Sequence, residues 1–248
     1  MSVPDWLTRK PIAHRGLHDA AAGRIENSSS AFLAAIEAGF TIETDLQCTA
    51  DDEPVVFHDP VLERLTDATG PLNARSAAEF KSLTLRGSSD PMLDLDGLLA
   101  LVAGRTPLLL EIKSRAGFNP VFAGRIADIL SGYQGPYAVM SFDPRMVRAL
   151  RRRLPGAVRG LVASGFEAGD WPGMPAFTRF KLRHLYYALH TRPHFIAYSI
   201  NALPAPAPLL LKALGLPLLA WTVNTPERLA KARVFADNII FENIDPAA

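Results

Sequence analysis

Three segments near the start of the chain join apolar runs to polar and charged residues that a strand interior does not tolerate. They are Ile12-Ala13-His14-Arg15-Gly16, Ile42-Glu43-Thr44-Asp45 and Val55-Val56-Phe57-His58-Asp59. Glu43 and Asp45 are two apart, so on a strand both carboxylates leave the same face. Burying two carboxylates side by side is costly unless a cation neutralises them. A later run, Leu108-Leu109-Leu110-Glu111-Ile112-Lys113, repeats the device with Glu111 and Lys113 on one face. Three carboxylates, two histidines, an arginine and a lysine at strand ends read as an active site.

The elements that must position these residues follow from periodicity and turn chemistry. Ser28, Ser29 and Ser30 are N-cap candidates for a helix carrying Phe32, Leu33 and Ile36, and Gly39 ends it. Strand, helix and strand in succession make a parallel pair. Only Cys48 to Pro54 separates the Glu43 strand from Val55 to His58, too few residues for a parallel crossover, so these two strands form a hairpin. The hairpin folds His58 back over the strand ends. A polar stretch from Asp59 to Asp90 follows, helical near Ser76 to Leu83, and then a helix over Leu93 to Val102.

Beyond Glu111 the alternation is regular. Helices are expected at Asn119 to Leu130, Pro144 to Leu154, Pro208 to Leu214 and Pro226 to Phe235. One more carries Leu182, Leu185, Tyr186 and Leu189 on one face by their i, i+3, i+4, i+7 spacing. With the hairpin strand set aside, eight strands lie near residues 12, 43, 110, 139, 160, 197, 220 and 240. Eight strands alternating with helices in about 250 residues form a (β/α)8 TIM barrel, here with a short hairpin and a small insertion after the second barrel strand. The whole of 1–248 reads as one domain. In such a barrel the site lies at the C-terminal strand ends, where His14, Glu43, Asp45, Glu111, Lys113, Ser141 and Trp221 fall.

Composition narrows the function classes. With 26 basic against 25 acidic residues there is no basic field for nucleic acid. One cysteine, Cys48, rules out an internal disulfide framework and fits a reducing compartment. Met1 to Pro11 is too polar for a signal peptide, and no run approaches the roughly 20 apolar residues of a membrane helix. The expected location is cytoplasmic, with no stable membrane insertion.

His14-Arg15-Gly16, Glu26-Asn27, Glu43 with Asp45, His58-Asp59, Arg64 with Thr66, Glu111-Ile112-Lys113, Ser141-Phe142 and Trp221-Thr222-Val223-Asn224 occur in this order. Together they resemble the glycerophosphodiester phosphodiesterases over about Ile12 to Phe241. The resemblance implies a TIM-barrel hydrolase that uses a divalent cation to cut a phosphodiester to an alcohol and a phosphomonoester, sn-glycerol 3-phosphate for a glycerophosphodiester. It also implies that Glu43, Asp45 and Glu111 hold the metal, that His14 and His58 are the acid–base pair, and that Arg15 and Lys113 contact the phosphate. The chain departs from the family near its end, where Asn238-Ile239-Ile240-Phe241-Glu242 replaces a Gly-Ile-Ile-Thr-Asp pattern. Three carboxylate ligands, without a Cys or His cluster, favour Mg²⁺ or Ca²⁺ over zinc.

Other residues have a structural reading beside the functional one. Glu26 and Asn27 precede a helix and are read as capping residues. Trp221, Ser141, Phe142 and His18 are candidates for substrate binding at the barrel mouth. His184, His190 and His194 are read as surface residues. Arg148, Arg151, Arg152 and Arg153 are read as a solvated helix face whose charge suits the helix C-terminus. Competing functions are a phospholipase D-like lyase acting on lysolipids, a glycoside hydrolase using two of the carboxylates, and a non-catalytic phosphate-binding barrel. Arg15 and Lys113 count against glycoside chemistry, which develops no phosphate charge.

Overall fold

The computed structural model describes residues 3–114 and 117–247. Within these residues nine strands make one sheet: β1 (Ile12–Ala13), β2 (Thr41–Cys48), β3 (Pro54–Val56), β4 (Leu108–Ile112), β5 (Tyr137–Ser141), β6 (Val158–Ala163), β7 (Phe195–Ser199), β8 (Leu218–Val223) and β9 (Asn238–Phe241). Eight of them pair in parallel in the order β1-β2-β4-β5-β6-β7-β8-β9, and β9 returns to β1, so the barrel closes. β3 is antiparallel to β2, with Leu46 opposite Val56, and is the expected hairpin outside the closed barrel.

Among the described residues ten helices flank the strands: α1 (Trp6–Arg9), α2 (Ser29–Glu37), α3 (Ala77–Lys81), α4 (Leu95–Val102), α5 (Pro120–Ser131), α6 (Pro144–Arg153), α7 (Ala176–Arg183), α8 (Ala188–Thr191), α9 (Pro206–Ala213) and α10 (Pro226–Phe235). Local chemistry sets their starts. Ser28 accepts from the amide of Ala31, Asp94 from Gly97 and Asn119 from Val121 and Phe122, each satisfying an amide the first turn leaves free. Ser76 and Glu79 form a reciprocal capping box on α3. Among the described residues no helix is long and apolar enough to cross a membrane.

The core has three parts. Ile12, Leu109, Ala138, Met140, Val162, Phe195, Ala197, Leu219 and Ile240 fill the barrel, with Leu7 of α1 packed among them. Gly160 makes room there, because a Cβ would lie 2.2 Å from the Phe195 ring. The larger cluster joins the outer strand faces to the helices. A third, with Val55, Phe57, Leu62, Phe80 and Leu85, holds the hairpin and its insertion together.

The helix expected over Leu182 to Leu189 is a correction. Leu185 adopts a positive φ of 55° and separates α7 from α8. Leu182 and Leu185 stay buried, but Tyr186 and Leu189 face solvent, so the four residues do not share a buried face. A break in the backbone cancels a periodicity that presupposes a continuous helix.

Candidate active site

Side chains alternate along each barrel strand, and one set points into the barrel. The inward set that begins with Ile12, Leu109, Met140, Leu219 and Ile240 continues at the C-terminal rim with His14, Glu111, Phe142, Trp221 and Glu242. On β2 the inward residues include Glu43 and Asp45. Charged groups thus replace apolar ones in the last layer of the barrel, where the mouth opens.

Glu43, Asp45 and Glu111 are buried and each presents a carboxylate oxygen within 4.8 Å of the others. Burial, with Asp45 and Glu111 adjacent, holds Glu43 well above the usual carboxylate range. Burial alone would raise Asp45 too, but Lys113, His58 and Arg15 outweigh it and keep Asp45 low. The Lys113 ammonium lies 2.8 Å from Asp45 and 2.6 Å from Glu111. Burial lowers Lys113, and these two carboxylates more than reverse that. An all-oxygen, buried, acidic donor set suits a hard divalent cation.

The His14-Arg15-Gly16 turn is built for close approach. Arg15 and Gly16 have φ of 56° and 80°, and a Cβ on Gly16 would lie 2.9 Å from the Ala31 carbonyl carbon. The turn aims the Arg15 amide at Glu43 at 3.0 Å and its guanidinium at Glu26 at 2.7 Å. His58 is held from behind, since its carbonyl accepts from the Gln47 side chain at 2.7 Å.

Each histidine has its own carboxylate. His14 Nδ1 lies 2.6 Å from Glu242 Oε2, and its Nε2 faces Glu43 at 4.0 Å. His58 Nδ1 lies 2.7 Å from Asp59, which Arg64 engages at 2.5 Å. The hydrogen bond from His14, with His18 close by, keeps Glu242 strongly acidic. Burial lowers His58, with Lys113 and Arg15 acting in the same direction. Among the residues marked as chemical by sequence, His14, Arg15, Glu43, Asp45, His58, Glu111 and Lys113 all converge here.

Several assignments change. Glu26 and Asn27 do not cap α2, because Ser28 does. Glu26 joins Arg15 to Arg64, and Asn27, at φ 58°, donates to Asp45 at 3.0 Å and accepts from Thr44 at 2.7 Å. Ser141 lies on the outward face of β5. Its hydroxyl donates to the Ile112 carbonyl and accepts from the Asp143 amide, so it ties strand ends together and does not face the mouth. His18 turns toward Glu242 at 3.6 Å. Phe142 and Trp221 pack edge to face at 5.4 Å, and with Phe166 and Trp171 they wall one side of the mouth. Glu242 and Asp59 were not assigned from sequence, although the alternation from Ile240 marks Glu242 as inward. Burial and Asp52 push the Cys48 thiol up to about 12, which disfavours its thiolate form.

Comparison with known proteins agrees with this geometry. A model of the glycerophosphoryl diester phosphodiesterase family matches residues 14–245. A glycerophosphodiester phosphodiesterase of Caldanaerobacter subterraneus is 27% identical, covering 94% of this chain and 93% of its own. Glycerophosphodiester phosphodiesterase 1 of Bos taurus is 25% identical over 86% of this chain and 71% of its own. Among solved structures, an Oleispira antarctica phosphodiesterase in complex with the product sn-glycerol-3-phosphate superposes with a TM-score of 0.77 at 21% identity, covering 95% and 93% of the two chains. That similarity shows the barrel fold. Phosphodiester chemistry displaces the glycoside hydrolase reading, and the chain belongs to the glycerophosphoryl diester phosphodiesterase family of phosphoric diester hydrolases.

Proposed function

We propose that this protein hydrolyses glycerophosphodiesters to an alcohol and sn-glycerol 3-phosphate at the barrel mouth, using a divalent cation, Mg²⁺ or Ca²⁺, and two histidines. The observation that carries this reading is three buried carboxylates within 4.8 Å of one another, flanked by two histidines that each have a carboxylate behind them. Names borne by relatives support the same substrate class, as does the product bound to the Oleispira enzyme.

Glu43, Asp45 and Glu111 would hold the cation, which when bound draws charge from the phosphoryl group and stabilises the developing negative charge. Arg15 and Lys113 share that charge from the protein side. One histidine takes a proton from the attacking water, and the other gives a proton to the departing alkoxide. Nδ1 of each ring is engaged by its carboxylate, which leaves Nε2 as the working nitrogen.

The aromatic wall of Phe142, Trp171 and Trp221 could also receive an alkyl chain, so lysolipids are a second substrate class to test. The deciding experiment assays the metal-loaded protein against glycerophosphocholine, glycerophosphoethanolamine and a lysolipid, with products identified. Release of sn-glycerol 3-phosphate, abolished by chelator and restored by Mg²⁺ or Ca²⁺, is the expected result. Full activity in excess chelator with no metal detected in the protein would sink the metal-dependent reading.

A further inference from the structure

One flank of the barrel, far in sequence from the catalytic strands, combines exposed aromatic residues with a charge imbalance. From Trp171 to Pro226 the chain contains no Asp or Glu, yet it carries Arg179, Lys181, Arg183, Arg192 and Lys212. Within this tract α7 buries only Leu182. Phe177 is 67% exposed, Tyr186 58% and Leu189 84%. Phe177 and Phe180 are neighbours at i and i+3 on α7. The Phe180 ring continues the surface by stacking on His184 at 4.2 Å and meeting Tyr186 at 5.9 Å.

The cations are interleaved with these rings. Lys181 Nζ sits 4.3 Å over the Phe177 ring, and among the described residues it has no carboxylate partner. Arg192 is exposed and equally unpaired, while Arg183 reaches only the exposed Glu167 at 3.7 Å. The basic end of α6 adjoins this flank, because Arg151 donates to the His190 carbonyl at 2.8 Å. The break at the buried Leu185, after which Tyr186 and Leu189 face outward, spreads apolar groups across a surface.

We propose that the α7–α8 flank docks the enzyme on an anionic phospholipid bilayer. Aromatic side chains favour the headgroup boundary, where an apolar ring and a polar edge are both accommodated. Lysine and arginine beside them gain from the negative surface potential of anionic lipids. This mode requires no spanning helix. A second copy fits the flank less well, because a two-fold contact would pack this basic tract against itself, with only Glu167 and Asp170 at its edge to offset the charge. The loop over 164–175 runs from β6 to α7 and supplies Phe166 and Trp171 to the aromatic wall, so a docked flank would bring the mouth close to the lipid surface. Docking is independent of which diester is cleaved.

The test is co-sedimentation of the full chain with vesicles of phosphatidylcholine alone and of phosphatidylcholine mixed with phosphatidylglycerol. Binding is expected only to the mixed vesicles, with release at high salt. Lys181→Glu should weaken it by on the order of fivefold or more. Phe177→Ser combined with Phe180→Ser should weaken it by about tenfold or more, leaving hydrolysis of a soluble diester and the melting temperature unchanged. If that double variant fails to fold, Lys181→Glu alone carries the test. The proposal is overturned by no binding to the mixed vesicles, by equal binding to both kinds, or by binding that Lys181→Glu leaves intact. It is also overturned by a duplex DNA that binds through Lys181 more tightly than the vesicles do, or by a dimer that Phe177→Ser dissociates without changing vesicle binding.

Discussion

His14 and His58 reach the mouth from different elements, and each carries a carboxylate on Nδ1, Glu242 for one and Asp59 for the other. Such a partner fixes the tautomer and the ring orientation. Glu242→Gln should therefore lower kcat by about 10–100-fold, in line with losses seen when an orienting partner is removed. KM and melting temperature should change little, and Glu242→Asp should fall between the two. A defect confined to KM or to stability would mean that Glu242 does not orient His14. His14→Ala and His58→Ala should each cost on the order of 10²–10⁴ in rate on a glycerophosphodiester. A nitrophenyl ester leaves without needing a proton, so only the variant lacking the acid should recover on it. Hairpin geometry alone favours His58 as the acid, whereas burial lowers its pKa and favours a neutral ring that accepts a proton. The second argument leads us to expect recovery in His14→Ala; equal recovery of both variants would refute a divided acid–base role.

At the scale of elements, the site depends on the turn after β1. Gly16 sits at φ 80° against the Ala31 backbone, and the Arg15 amide and the Asn27 side chain hold Glu43 and Asp45 from this turn and the one before α2. Gly16→Ala adds both a backbone penalty and a collision. It should destabilise the fold by about 1–3 kcal/mol or more in denaturant unfolding. Activity should fall further than stability does, since the turn aims Arg15 and His14. A Gly16→Ala protein with unchanged stability would mean that the turn relaxes without cost. The hairpin contributes differently: it takes β3 out of the parallel barrel and leaves His58 above the rim, where a ninth parallel strand could not place it.

For the molecule as a whole, the proposed metal site would couple metal affinity, stability and pH through its three carboxylates. Burial, with Asp45 and Glu111 adjacent, raises the pKa of Glu43 in the fold above its unfolded value. The native state then binds more protons than the unfolded chain between those two values. Stability of the metal-free protein from this group is thus fullest below the unfolded value, roughly 4.3, and is lost as pH rises toward the folded one. A bound cation favours the ionised form and releases that proton. The rise in melting temperature on adding Mg²⁺ or Ca²⁺ should accordingly grow as pH increases from mildly acidic to neutral, and it should be much smaller in Asp45→Asn. A rise that is independent of pH, or equal in Asp45→Asn, would place the ion elsewhere.

Sequence alone determined the barrel and the identities of the charged groups gathered at its mouth. Strand and helix periods differ enough to be counted, and a pair of carboxylates two apart on a strand must share a face. A seven-residue link could only make a hairpin, which lifts His58 above the rim. Sequence could not decide what those groups touch. Glu242 lies 228 positions from His14, and barrel closure between β9 and β1 brings them to 2.6 Å. Glu26 and Asn27 read locally as helix caps because capping is a short-range rule, while their partners Arg64 and Asp45 come from other parts of the chain. Ser141 had the right position at a strand end but the wrong parity, a distinction that depends on which face of β5 turns inward. The break at Leu185 lay outside any periodic pattern, because a single left-handed residue leaves the spacing of its neighbours unchanged while turning half of them to solvent.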